Sequence, residues 1–115
     1  MSIIKNSKKH LNYEKIEKDL EGYLKNNKDW NTSLAKEIAK KENIILTYEH
    51  WEIIYFIRNF YFKYNITPSM RMLINSMNKI LSKKIHSVYL FQLFPKGPAK
   101  QASKIAGIPK PSQCL

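Results

Sequence analysis

Five prolines, all in the second half of the chain, limit where helices can begin and end. Proline is accepted in the first turn of a helix but disrupts a helix interior. Thr67-Pro68 and Gly97-Pro98 are therefore predicted to open helices, and Pro95 to end one. Pro109 and Pro111 lie within the last eight residues, which favour an extended conformation for that reason.

Between these breaks, apolar residues recur at three- and four-residue spacing, as in helices that bury one face. Gly107 is placed to end the last helix in a left-handed conformation. The pattern predicts four or five helices. The candidate helices run from Asn31 or Thr32 to about Lys41, from Thr47 to about Asn65, from Thr67-Pro68 to about Leu81, from Val88 to Phe94, and from Gly97-Pro98 to Gly107.

The second predicted helix is apolar nearly all round, which favours a central, buried position. Its aromatic residues could instead form a stacking surface for nucleic acid. Their helical spacing favours the core over that alternative; they are Trp51, Tyr55, Phe60, Tyr61 and Phe62. His50, near the start of this helix, is predicted to be a capping or packing residue rather than a metal ligand, because no partner ligands are apparent.

Length and composition exclude several classes of protein. A chain of 115 residues forms one domain, predicted here at residues 1–107 with an extended, flexible arm at 108–115. The segment at about 1–20 could form a short β-hairpin or a frayed helix. A single cysteine excludes a disulfide framework and a Cys-rich zinc site, and no cofactor motif is present. No apolar run approaches the ~20 residues of a membrane span, and no secretory signal is visible, so we expect a cytoplasmic protein.

The charge is strongly basic and unevenly distributed. The chain holds 20 Lys and Arg against 9 Asp and Glu, and no acidic residue follows Glu52. This favours a small, basic, helical nucleic-acid-binding module, with the helix opened by Thr67-Pro68 as its recognition element. The excess of Lys over Arg, together with abundant Ile and Asn, is also typical of AT-rich coding sequence, which weakens that interpretation.

The only cysteine, Cys114, is the penultimate residue. Eight extended residues reach about 25 Å, so a thiol here could enter the active site of another protein, as thiol exchange or sulfur carriage requires. Only the thiolate reacts. The terminal carboxylate raises the pKa of this thiol, and Lys104 and Lys110, with Lys96 and Lys100 behind them, are predicted to oppose that effect.

The C-terminal segment resembles the signature of the DsrC/TusE family of sulfur carriers. The resemblance rests on residues 94–111, FPKGPAKQASKIAGIPKP, followed by Cys114. Upstream matches extend it over about residues 20–115; they are Glu21–Leu24, Trp30, Glu49–Glu52, Phe60-Tyr61, Pro68 and Arg71–Leu73. It implies a mainly α (α+β) fold: a compact helical bundle with a small N-terminal β-element and a mobile C-terminal arm.

Two branches of the family differ in cysteine count. The dissimilatory branch carries a second cysteine eleven residues before the last, where this chain has Ser103. The chain therefore resembles the branch that serves 2-thiolation of the tRNA wobble uridine. By that resemblance Cys114 is a catalytic persulfide-forming residue that accepts sulfur from a TusBCD-type donor complex. It passes the sulfur to an MnmA-type tRNA 2-thiouridylase. The acceptor enzyme binds the tRNA, so the carrier acts on tRNA indirectly.

Arg58 and Arg71 are the only arginines in a lysine-rich chain, which indicates that a planar guanidinium is required at one or both. Arg71 lies in a segment that resembles the family and is predicted to contact the arm or a partner; a structural ion pair is an equal alternative. Lys100, Lys104 and Lys110 complete the candidate set as thiol-tuning or partner-contacting residues.

Overall fold

The computed structural model describes residues 13–81 and 84–112. These residues form five α-helices, preceded by two short 3-10 helices at Tyr13–Lys15 and Asn27–Asp29. The α-helices are α1, Thr32–Lys41; α2, Tyr48–Tyr64; α3, Met70–Leu81; α4, Ser87–Leu93; and α5, Pro98–Ile105. The mainly helical prediction is confirmed, and within the described residues no helix is both long and apolar enough to cross a membrane.

The predicted N-terminal hairpin falls largely outside the described residues, since 1–12 are not among them. Within 13–24, the β pairing consists of one isolated antiparallel bridge between Lys18 and Leu24. Asp19 closes the turn between them, because its carboxylate accepts hydrogen bonds from the backbone N–H of Glu21 and Tyr23 at 2.9 Å. The small β-element therefore stays a prediction.

The helix boundaries follow the local capping chemistry. The Asn31 side chain accepts a hydrogen bond from the backbone N–H of Leu34 at 2.8 Å, which caps α1 as predicted. The predicted cap of α3 is wrong: that helix begins at Met70, and the Ser69 hydroxyl accepts from the N–H of Met72 at 3.2 Å. The Thr67 hydroxyl instead binds the carbonyl oxygen of Pro109.

His50 is a capping residue, as predicted. Its Nδ1 accepts a hydrogen bond from the backbone N–H of Thr47 and lies 2.7 Å from the Thr47 hydroxyl. Its Nε2 lies 2.8 Å from the carbonyl oxygen of Leu93, which can only accept. Nε2 is therefore a donor, and the ring joins the start of α2 to the end of α4.

The centre of the bundle is α5, not α2 as predicted: α5 packs against each of the other four helices. Small side chains allow this close approach, because Ala99, Ala102 and Ser103 are all buried. In α2 the buried residues are His50, Ile53, Ile54 and Ile57.

The prediction that the α2 aromatic residues lie in the core is wrong for two of them. Tyr55 is 43% exposed and Phe62 is 56% exposed. Trp51, Phe60 and Tyr61 are half-buried. An apolar composition all round does not require burial all round, because α5 covers one side of α2 and the opposite side faces outward.

Candidate functional site

Cys114 lies outside the described residues, which end at Ser112. The structure describes the base of the arm, residues 107–112, and the end of α5 from which it leaves. Ser103, at the position of the second cysteine in the other branch, is a fully buried residue of α5. Its hydroxyl has no hydrogen-bond partner within the described part of the chain.

Two side chains bind the carbonyls at the end of α5. Arg58 Nη1 donates to the carbonyl oxygen of Ala106 at 2.7 Å, and Trp30 Nε1 donates to that of Ile105 at 2.7 Å. The last carbonyls of a helix lack hydrogen-bond donors from a following turn. Arg58 and Trp30 supply these donors at the end of α5.

The Arg58 guanidinium lies between two aromatic rings. It is 3.8 Å from the ring centroid of Trp30 and 5.0 Å from that of Phe62. Burial lowers the pKa of Arg58 below its ordinary value, and Tyr55 partly opposes this shift; an arginine so placed stays protonated at neutral pH. We call Trp30, Arg58 and Phe62 the arginine cluster. It was missed because the sequence resemblance favoured Arg71.

Gly107 contacts the Trp30 ring of the arginine cluster at the point where the chain leaves α5. Its φ is +72°, the left-handed conformation predicted for the end of this helix. A Cβ at this position would overlap the Trp30 ring, lying 2.8 Å from Cγ. The backbone and the indole are therefore in direct contact, which only glycine permits.

The next residues of the predicted arm lie against the bundle. Ile108 is fully buried, and Pro111 is buried as well. The Thr67 hydroxyl donates to the carbonyl oxygen of Pro109 at 2.8 Å. Lys110 Nζ lies 2.9 Å from a carboxylate oxygen of Glu21. The arm is thus held at several successive positions up to Pro111.

A second set of contacts joins two side chains of α5 to the residue that follows α1. The Glu42 carboxylate accepts from Gln101 Nε2 at 3.0 Å and from Lys104 Nζ at 3.1 Å. Burial alone raises the pKa of Glu42, but these hydrogen bonds and the charges of Lys104 and Lys96 outweigh it, so that the pKa lies below its ordinary value. We call these contacts, with the Glu21–Lys110 pair, the ionic network.

The candidate lysines occupy one pocket. Lys100, Lys104 and Lys110 line a cavity of about 220 Å³ together with Glu21 and Glu42. Lys104 faces the Glu42 carboxylate and Lys110 faces that of Glu21. These carboxylates offset the positive potential expected from the sequence. The Tyr23 hydroxyl donates to the backbone carbonyl of Lys100 at 3.0 Å and fixes that residue's main chain.

Arg71 lies elsewhere, on the exposed side of α3. It lines a shallow groove of about 270 Å³ with Met70, Ile74 and Asn75. Within residues 13–81 and 84–112 it makes no hydrogen bond or ion pair. The predicted contact between Arg71 and the arm or a partner stays a prediction.

A second groove opens beside the last described residue. It has a volume of about 460 Å³ and lies between the α2–α3 connection and residues 109–112. We call it the corner groove. Its lining includes Tyr61, Ile66, Thr67, Met72, Pro109 and Ser112.

Comparison with known proteins agrees with this fold. The family model described as DsrC like protein matches residues 10–115. The sulfurtransferase TusE of Buchnera aphidicola subsp. Schizaphis graminum is 68% identical over 114 residues, covering 98% of this chain and all of that protein. The sulfurtransferase TusE of Escherichia coli K12 is 52% identical over 103 residues, covering 89% of this chain and 94% of its own.

Solved structures give the same result. The NMR structure of Allochromatium vinosum DsrC superposes with a TM-score of 0.79 at 48% identity, covering 87% of this chain and 90% of that one. The oxidized gamma-subunit of the dissimilatory sulfite reductase from Archaeoglobus fulgidus has a TM-score of 0.75 at 37% identity, with coverage of 87% and 92%. The chain belongs to the DsrC/TusE family of sulfur carriers.

Proposed function

We propose that this protein carries sulfur on Cys114, accepting it from a TusBCD-type donor complex and delivering it to an MnmA-type tRNA 2-thiouridylase for 2-thiolation of the wobble uridine. One observation carries the proposal: the single thiol of a DsrC/TusE family chain stands three residues beyond an anchored arm base. The 68% identity to a sulfurtransferase TusE supports the tRNA branch. Because the final product is tRNA, the proposed site of action is the cytoplasm.

The chemistry is thiol–persulfide exchange. The Cys114 thiolate attacks the outer sulfur of a donor persulfide; a new S–S bond forms, the donor S–S bond breaks, and the donor leaves as a thiolate. Delivery is the same step in reverse order: an acceptor thiolate takes the outer sulfur, and Cys114 returns as a thiolate. No net oxidation occurs, so neither a redox cofactor nor a metal is needed.

The thiolate requirement gives the lysines a proposed role. Lys104 and Lys110 lie against Glu42 and Glu21, so their effect on the Cys114 pKa is partly cancelled, and Lys100 becomes the stronger candidate. The rate of Cys114 alkylation against pH tests this role. We expect the midpoint to rise in Lys100→Gln; an unchanged midpoint would exclude thiol tuning by this residue.

Reconstituted tRNA thiolation with labelled sulfur tests the whole proposal. Cys114→Ser should lose both the label on this protein and the thiolated tRNA, because serine cannot form a persulfide. Gln113→Asn is the matched control, since it changes the residue next to Cys114 in the sequence without removing the thiol, and it should retain both. Thiolation at the wild-type rate in Cys114→Ser would refute the carrier function.

A nucleic-acid-binding module is the second candidate, because α3 presents a polar, basic face. Arg71, Asn75 and Lys79 are all exposed and recur every four residues, so they lie along one side of the helix. In that case Arg71→Glu with Lys79→Glu should abolish RNA binding and activity, while Cys114→Ser should be harmless. The opposite pattern is expected of a carrier.

A further inference from the structure

The anchored arm base shortens the distance over which Cys114 can act. The carbonyls of Ile105 and Ala106 are bound by Trp30 and Arg58. The next residues follow with Ile108 in the core and Pro111 buried. A free arm of eight residues would reach about 25 Å, whereas three residues counted from Pro111 can reach at most about 11 Å.

A protein that exchanges sulfur with Cys114 must therefore sit close to Pro111. The described residues of the arm line the two cavities there unequally. Lys110 borders both the lysine-lined cavity and the corner groove. Ser112, the last described residue, lines only the corner groove.

The chemistry of the corner groove suits an uncharged protein surface. Among the described residues, its lining contains no acidic side chain, and its one cation, Lys110, is paired with Glu21. Asn65, Thr67, Ser69 and Ser112 add uncharged polar groups. Tyr61, Ile66 and Met72 contribute apolar area, and Ile66 is 50% exposed. Burial of exposed apolar side chains is the main source of favourable energy at protein interfaces, whereas a phosphate backbone would require unpaired cations.

We infer that the corner groove is the docking surface for the protein that donates sulfur to Cys114, and that this partner presents an uncharged surface with an apolar side chain against Ile66. The inference rests on the carrier function proposed above and adds to it the surface on which exchange takes place. A partner docked at the groove lies within the ~11 Å that three residues can cover from Pro111, and docking there does not require Thr67 to release Pro109.

The test compares a protein donor with a small one. Wild-type protein and Ile66→Glu are loaded with sulfur either from a persulfidated TusBCD-type complex or from inorganic polysulfide, and the +32 Da adduct on Cys114 is followed by mass spectrometry. Ile66→Glu should load from the complex at least about tenfold more slowly, because a carboxylate is placed in an apolar contact. Loading from polysulfide should be unchanged, because it needs no docking.

Ile80→Glu is the matched control: Ile80 lies on α3, is 68% exposed and is outside the corner groove. It should load from the complex at the wild-type rate. Ile66→Ser, which shortens the side chain without adding charge, should show a smaller loss in the same direction. Thermal unfolding of each variant verifies that it is folded.

Three results with the variants would overturn the inference. The first is normal loading of Ile66→Glu from the complex, and the second is an equal loss in Ile80→Glu, which would make the effect one of charge anywhere on the surface. The third is an equal loss of loading rate in Ile66→Glu when polysulfide is the donor, which would mean that the substitution alters the reactivity of the Cys114 thiol. A wild-type protein that loads from polysulfide but takes no sulfur from the complex would overturn the proposed donor along with the docking surface.

Discussion

The two sides of α5 hold the base of the arm by different physical means. On one side, the arginine cluster places a guanidinium between two aromatic rings and binds the last carbonyls of the helix. On the other, the ionic network joins Glu42 to Gln101 and Lys104, and Glu21 to Lys110. The first consists of close packing and a charge-assisted hydrogen bond, and the second of ion pairs that water reaches to different degrees.

This difference indicates which side fixes the start of the arm. A stacked, partly desolvated guanidinium resists salt and pH, whereas ion pairs at a surface contribute little and are screened. The Lys110–Glu21 pair is half-exposed, while the Lys104–Glu42 pair is better shielded. We therefore expect stability to depend most on the arginine cluster and least on the exposed pair.

The largest effect is expected from Gly107→Ala. The substitution places a Cβ against the Trp30 ring and imposes a left-handed conformation on an L side chain. Together these should lower the free energy of unfolding by about 3–4 kcal/mol, as measured by urea denaturation. Gly22→Ala is the control, because Gly22 has a φ of +93° but its nearest neighbours, the atoms at the end of the Lys104 side chain, begin at 3.7 Å. An equal loss in both variants would mean that backbone strain, not contact with Trp30, accounts for the effect.

Arg58→Ala should have the next largest effect. It removes the hydrogen bond to the Ala106 carbonyl and both ring contacts, and should lower the free energy of unfolding by about 2–3 kcal/mol. Arg58→Lys keeps the charge but not the planar group, so it should recover only part of the loss. Full recovery by lysine in urea denaturation would show that charge alone matters here, and would remove the distinction between the two sides of α5.

The smallest effect is expected from the ionic network, and it should depend on pH. Because the pKa of Glu42 is lowered in the folded state, its stabilising contribution is complete above the ordinary glutamate range of about 4.3 and is lost as the pH falls through the folded-state pKa. Glu42→Gln should therefore be less stable than wild type at neutral pH, and the difference should shrink on acidification.

Urea denaturation between about pH 7 and pH 3 measures this change. Glu21→Gln, which removes the half-exposed pair, should change stability by less than about 1 kcal/mol. A difference between wild type and Glu42→Gln that stays constant with pH would mean that the Glu42 carboxylate contributes through packing rather than charge.

Local signals predicted much of the fold. Helix periodicity, the Asn31 cap and the Gly97-Pro98 start located α1, α2 and α5 to within a residue or two. These predictions of helix position succeeded because capping and periodicity depend on residues close together in the chain. The cap of α3 failed because Thr67 and Ser69 are both good caps, and a contact with Pro109, 42 residues away, is made by Thr67 instead.

The candidate site was predictable in one part and not in another. Cys114 stands out by its uniqueness and its place behind two prolines, and a role for arginine was indicated by the scarcity of arginine. Which arginine matters was not predictable: Arg58 contacts the end of α5 across 48 residues of chain, and Arg71 carries the stronger sequence resemblance. The exposure of Tyr55 and Phe62 was missed for the same reason, since it depends on which side of α2 the other helices cover.

The sequence by itself determined that this chain is helical, where most of its helices lie, that its one thiol follows a proline-containing segment, and that it resembles sulfur carriers. The tertiary structure decided that α5 is the centre of the bundle, that Arg58 binds its end, and that the arm is anchored as far as Pro111. The physical reason is the range of the interactions: caps, turns and periodicity act within a few residues, whereas burial, ring contacts and ion pairs join side chains that only the folded chain brings together.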